Sequence, residues 1–412
     1  MGRGAAYQVL LTALLSLNFG IVLFDRNALG FLTPFIQPEL RLDNTQIGLL
    51  ASGLSLTWSL AAFGIGVIAD RFGSRKRLLV LSTLLFALCS FGSGIASSFA
   101  MLLAARLLMG VAEGGIMPVS QSLIASEVDP RHRGLAMGVA QGFGSSLLGS
   151  FVAPVMLVSF ALHFGWRHAF FLAGAPGLAT ALLMLWLICK PIEAAPAHTA
   201  KTGAVRTASL REVLADRNVI LCALLGILLV SYLVVCWAFM PLFLTRVRGY
   251  DPATMGWVMG TLGISATIAS SAIPALSDRI GRRPVMIVMP MLAVILPLAA
   301  LYYAGSIWML AALFMTGWAV TGIFPLFMAT IPAESVSALH ISTALGICMG
   351  TGEALGGVLS PFAAGYAADR VGLQAPIWIM LGLAAVSCVL ALGLRETAPR
   401  VLARVQELAW KS

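Results

Sequence analysis

Apolar residues in this chain arrive in long blocks, and the length of those blocks restricts the fold more than any other feature. They fall at about 7–31, 46–69, 78–97, 101–124, 134–159, 168–189, 219–243, 254–276, 285–304, 307–330, 342–366 and 376–394. Each has the roughly 20 residues that a helix needs to cross a hydrocarbon core of roughly 30 Å. A segment in lipid must satisfy its backbone polar groups internally, which leaves helices or a closed barrel. The runs lack the period-two alternation of barrel strands, so they read as helices. The expected fold is an all-α membrane protein of twelve spans. With 59% hydrophobic and 10% charged residues, far below the roughly 25% charged of a soluble domain, a 412-residue chain has no soluble interior large enough to hide its apolar surface. The first block is too long for a signal-peptide core and lacks a small-residue cleavage site, so it reads as a retained helix.

Placing both termini in the cytoplasm puts 19 of the 26 Lys and Arg residues in cytoplasmic segments and five outside, at Arg41, Arg167, Arg246, Arg248 and Arg370. That asymmetry is the positive-inside rule of inner-membrane proteins. It accounts for the net charge of +9 without nucleic acid; the partner is the lipid bilayer. The polar stretch 190–218 reads as a cytoplasmic linker between halves 1–189 and 219–395, with a tail at 396–412. Its Lys190, Lys201, Arg206, Arg211 and Arg217 suit either a solvated tether or anionic lipid. The chain has no Asn-x-Ser/Thr acceptor, which favours a bacterial inner membrane. Cys89, Cys189, Cys222, Cys236, Cys348 and Cys388 lie in or beside apolar segments, without metal-ligand spacing, and read as free packing residues. No metal cluster, cofactor motif, phosphate loop or nucleophile constellation is visible. Neither an enzyme nor an ATP-driven pump is expected, and the chain reads as a monomer.

The two halves repeat each other. Asp70-Arg71-Phe72-Gly73-Ser74-Arg75 recurs as Asp278-Arg279-Ile280-Gly281-Arg282-Arg283 at an offset of 208. Gly115-Ile116-Met117-Pro118 recurs as Gly322-Ile323-Phe324-Pro325, and Glu127 as Glu334, at an offset of 207. Gly142, Gly144 and Gly149 return as Gly350, Gly352 and Gly357. Concordant offsets near half the chain length imply duplication of a six-helix unit.

Gly66-Val67-Ile68-Ala69-Asp70-Arg71-Phe72-Gly73-Ser74-Arg75-Lys76-Arg77 joins the second and third spans and resembles the signature loop of the major facilitator superfamily. Its glycine permits a tight turn, and its acid can cap a helix end or pair with a cation. The expected partner of Asp70 is Arg131 or Arg133 in the next cytoplasmic loop. Asp70, Arg71, Gly73, Arg131 and Arg133, with Asp278, Arg279 and Gly281 in the second half, are then gate residues. The competing reading is a basic topology anchor without gating.

Charges inside the spans are the strongest functional signal, because each costs roughly 2.5–3.5 kcal/mol at the bilayer centre. Asp25 and Arg26 lie in the first span, Arg106 and Glu113 in the fourth, Glu353 in the eleventh. Arg106 and Glu113 share one helical face, about 10 Å apart along the axis. Their counterparts in the other half are Leu313 and Val320, and those of Asp25 and Arg26 are Leu233 and Val234. Duplication therefore did not keep these charges in both halves.

Asp25-Arg26 followed by Leu29-Gly30, together with Arg106 and Glu113, resembles the anion:cation symporter family. Gly165-Trp166-Arg167 and the Gly356-Gly357 and Ser360-Pro361 pairs extend the resemblance. It implies proton coupling through Asp25 and Glu113, and contact of Arg26 and Arg106 with a substrate carboxylate. The chain departs from the family in placing Glu353 where an Asn is common, so Glu353 is expected at the substrate or as a further protonation site. Tyr232 and Trp237 read as cavity lining or as packing, and Trp58 as packing or an interfacial anchor. The expected function is proton-coupled uptake of a small organic anion by alternating access. The alternative is a drug/proton antiporter, although Gly149-Ser150-Phe151-Val152-Ala153-Pro154 lacks the Gly-Pro-x-x-Gly-Gly signature many antiporters carry.

Overall fold

The computed structural model describes residues 4–72, 75–129, 132–140, 144–188, 213–337 and 340–403, and of 63–72, 125, 133–135 and 342 it describes the backbone alone. In chain order the long helices are α1 (Ala5–Leu40), α2 (Asn44–Phe72), α3 (Arg75–Gly94), α4 (Phe99–Glu127), α5 (Ser145–Phe164), α6 (Trp166–Leu187), α7 (Arg217–Val247), α8 (Pro252–Ile280), α9 (Arg282–Tyr302) and α10 (Ile307–Ser335). α11 follows as Ile341–Thr351, Gly352–Gly357 and Val358–Val371, and α12 is Gln374–Leu392. Among the described residues, helices occupy all twelve expected spans. The helices outrun the apolar blocks, as α1 does by continuing to Leu40, because hydropathy marks the hydrocarbon core whereas hydrogen bonding carries a helix on through the interface. Arg41, in the left-handed region at φ 52°, ends α1 with its N–H on the Gln37 carbonyl. Large apolar side chains such as Trp186 and Trp308 stand exposed, as lipid-facing residues must.

The fifth span expected over 134–159 is helical wherever it is described, but not α-helical throughout. A short helix, Arg133–Gly138, precedes a π-helical segment at Ser145–Val152, and α11 carries a second π segment at Gly352–Gly357. Glycine explains both positions. A Cβ on Gly144 would strike the Ser16 carbonyl of α1, and one on Gly352 would lie 3.3 Å from Gly226 of α7. Small residues let helices cross this closely in lipid. Gly144 and Gly352 are counterparts in the repeat, so the irregularity itself is duplicated.

Contacts divide the chain into two compact units, Met1–Thr202 with Pro241–Gly263, and Gly203–Met240 with Ile264–Ser412. The first therefore takes up a piece of the second sequence half. Gly256, Gly260 and Gly263 of α8 bring that piece against Pro154, Val155 and Phe151 of α5. Asp251 starts α8 by accepting the Thr254 N–H at 3.0 Å. Hydrogen bonds from Thr254 hold its carboxyl below the usual range. The core of the first unit is mainly aliphatic, with Leu11, Leu15, Leu79, Met109 and Ile116 enclosed around Phe86. The second is centred on Tyr232, Phe314, Trp318 and Phe327.

Candidate functional site

The four charges singled out in the first half meet inside the first unit. Asp25 and Arg26 are consecutive, so on a helix their side chains diverge by roughly 100° and reach different neighbours. Asp25 points toward α3 and is fully buried; the Ser90 hydroxyl donates to its Oδ1 at 2.8 Å, while Oδ2 has no hydrogen-bond partner. Arg26 points toward α4 and α2. Its Nη1 lies 3.6 Å from Glu113 Oε2, and its guanidinium sits 5.3 Å from the centre of the Trp58 ring. The pair is asymmetric: 22% of the Arg26 side chain is exposed and none of the Glu113 side chain.

Arg106 was expected at the substrate beside Arg26. The structure encloses it completely, with its guanidinium 5.1 Å from the Phe170 ring centre and Nη1 3.4 Å from Met109 Sδ. Its Nε and Nη2 have no hydrogen-bond partner. Two guanidinium groups and two carboxyl groups thus share one buried region, formally neutral when all are ionised, and several of their polar atoms are unpaired. Orphaned buried charge is expensive and concentrates where a ligand or proton is to be taken up.

Trp58 is the member that sequence reasoning assigned to packing or an interface. The available signal was Gly110 and Gly114 on α4: a Cβ at Gly114 would lie 2.6 Å from the Trp58 carbonyl oxygen, and one at Gly110 would strike Thr57 and Leu54. These glycines draw α2 onto α4 and so set the ring beside Arg26. At the Glu39 end of α1, Gly165-Trp166-Arg167 forms a clasp. Glu39 accepts from Trp166 Nε1 at 2.5 Å and from the Arg167 guanidinium, which also reaches the Ala96 carbonyl at 3.2 Å.

In the second unit Tyr232 is packing. It is fully buried, donates to the Ala293 carbonyl at 2.9 Å, and lies against Trp318; its hydroxyl is already committed to backbone. Trp237 is half-buried and edge-on to Trp318 at 5.2 Å. Glu353 is half-buried in the first turn of the α11 π segment.

Of the expected gate residues, Gly73 and Arg131 lie outside the described residues, as do the side chains of Asp70, Arg71 and Arg133. In the second half the hub is Arg282, not Arg279, which is exposed. Arg282 pairs with Asp278 at 2.6 Å and with Glu334 at 3.1 Å, and donates to Ser277. Gly281 turns at φ 112°, and the backbone N–H groups of Arg282 and Arg283 donate to Glu396 at 2.8 and 3.1 Å. The repeat of Glu127 as Glu334 was the sequence trace of this cluster; Glu396 had none.

Apolar helices in duplicated halves, with three buried charges and the partly exposed Arg26 gathered in one of them, define a multi-pass membrane transporter rather than an enzyme. The chain belongs to the Major Facilitator Superfamily, whose profile matches residues 15–251 and 235–411. It is 30% identical over 352 residues to the 3-(3-hydroxy-phenyl)propionate transporter of Escherichia coli (strain K12), covering 83% of this chain and 82% of that one. It is 29% identical over 252 residues to the hexuronate transporter of Bacillus subtilis (strain 168), covering 59% of each. Among solved structures, a bacterial homolog of the human lysosomal transporter Spinster superposes with a TM-score of 0.77 over 95% of this chain and 97% of that one, at 17% identity, a likeness of fold.

Proposed function

We propose that the protein takes up a small organic anion together with protons across a bacterial inner membrane by alternating access. The observation that carries this reading is Arg26, whose guanidinium lies beside Glu113 and the Trp58 ring while 22% of its side chain is exposed. A planar cation of this kind matches a carboxylate in a bidentate pair. An arriving carboxylate competes with Glu113 for Arg26, and Glu113 then takes a proton in place of its lost partner. Substrate and proton thereby favour each other's binding, and linkage makes the effect reciprocal. Asp25 is the second proton site, with Arg106 as its buried counter-charge and a ligand only in a state that uncovers it. Trp237 and Glu353 are the further residues this reading assigns to substrate binding. The relatives named for a hexuronate and a hydroxyphenylpropionate both carry organic acids, which supports a carboxylate as cargo.

Residues 1–189 and 219–395 act as the two moving halves, with both termini in the cytoplasm as the basic residues favour. Asp70, Arg71, Gly73, Arg131 and Arg133, with Asp278, Arg279 and Gly281, are the gate residues in this reading. The test is thermal-shift screening of the purified protein against a carboxylate library containing sugar acids, aromatic acids and dicarboxylates, each beside its amide. Stabilisation by an acid but not its amide supports the reading; equal stabilisation by acid and amide contradicts it.

A further inference from the structure

We propose that Ser90 is a two-way hydrogen-bond partner of Asp25, serving both protonation states and passing the change from α1 to α6. The inference rests on Asp25 being a proton site, as proposed above. Ser90 is fully buried on α3, with its hydroxyl oxygen 2.8 Å from Asp25 Oδ1 and 2.9 Å from the Phe170 carbonyl oxygen of α6. A serine hydroxyl has one proton and two lone pairs, so it donates fully to only one of these acceptors. With Asp25 ionised, the proton goes to the carboxylate, where the bond is charge-assisted. With Asp25 protonated, the carboxyl donates to the Ser90 oxygen, and the Ser90 proton turns to the Phe170 carbonyl. The added proton comes from solvent and forms the carboxyl O–H; no other covalent bond is made or broken.

Three features make this a switch rather than a packing contact. The α3–α6 spacing is held by Gly174, where a Cβ would lie 2.9 Å from Ser90 Cβ and 3.0 Å from the Ala87 carbonyl oxygen, so both acceptors stay within reach. Phe170 also carries the ring beside Arg106, so the turned proton acts on the residue that cradles Asp25's counter-charge. Two turns away along α1 and α3, the Thr83 hydroxyl lies 3.3 Å from Asn18 Oδ1 and closer, at 2.9 Å, to the Leu79 carbonyl oxygen of its own helix. That rung has no titrating member and stays as it is. The charged and titratable groups bearing on Asp25 are Arg106 and Glu113 on α4 and Cys89 on α3; Arg26, next in the chain, faces Glu113.

The test is a pH-difference infrared spectrum of the full-length protein in liposomes, with no substrate present. The band of protonated Asp25 is the carboxyl C=O band that Asp25→Asn removes. In Ser90→Ala it is expected at higher frequency, because the carboxyl has lost its acceptor, with its titration midpoint moved by about one pH unit. Ser90→Cys keeps the volume with a weaker partner and should fall between, which preserves the test if the alanine variant folds poorly. An unchanged band and midpoint in both variants would overturn the switch. If Asp25→Asn removes no band, both the switch and Asp25 as a proton site fail. A shifting band in a protein that transports no organic anion keeps the switch and removes only the transport assignment.

Discussion

Glutamine at position 113 is the informative perturbation of the proposed coupling. It keeps the shape of the side chain and mimics the protonated acid permanently. At 3.6 Å and an effective dielectric constant of about 20, the Arg26–Glu113 attraction amounts to about 4–5 kcal/mol. Arg26 is partly exposed, and an arriving carboxylate restores most of the lost attraction, so the net effect on binding is nearer 1–2 kcal/mol. Glu113→Gln should therefore bind the anion about tenfold more tightly, at about 1.4 kcal/mol per decade. That affinity should no longer depend on pH through this site. Proteoliposomes preloaded with substrate separate exchange from accumulation. The variant should retain counterflow, which needs no net proton movement, and lose uptake driven by a pH gradient. Full pH-driven accumulation in Glu113→Gln would refute the reasoning and move the coupling role to Asp25 or Glu353.

Arg106→Lys keeps the charge but loses the planar group lying against Phe170; substrate binding should weaken while folded yield survives, and wild-type affinity would remove Arg106 from the site. Arg282→Met leaves Asp278 and Glu334 without their shared cation, and calorimetry or thermal shift should read a loss of about 2 kcal/mol, discounted because Asp278 is exposed. Gly144→Ala places a methyl group against the Ser16 carbonyl and should cost about 2 kcal/mol or more, whereas Gly138→Ala, with nothing within 4 Å of the new carbon, should be close to neutral in the same assay.

The spans were legible because lipid leaves few options: a run of about 20 apolar residues reports its own length and its helical form. The same constraint made Asp25, Arg26, Arg106 and Glu113 conspicuous, since charge in an apolar run has to be accounted for. Direction was not legible. Position alone does not tell that Asp25 turns to Ser90 while its neighbour turns to Glu113, or that Arg106 is enclosed and Arg26 is open. The π segments of α5 and α11 were marked by repeated glycines, but a glycine pattern does not distinguish a close crossing from a change of helical pitch. Arg282, Glu334 and Glu396 converge from three distant parts of the chain, and Glu396 appears in sequence as an ordinary acid beyond the last span. Tyr232 was open in sequence between cavity lining and packing, and only the structure shows its hydroxyl donating to the Ala293 backbone carbonyl.

The central claim is that a carboxylate bound at Arg26 brings a proton with it. The direct measurement is the pH change when a carboxylate that stabilises the purified protein is added to it in weakly buffered detergent solution. The account predicts uptake of protons from the medium on binding, reduced in Glu113→Gln at undiminished occupancy. Saturable binding with no proton uptake by the wild-type protein would contradict it.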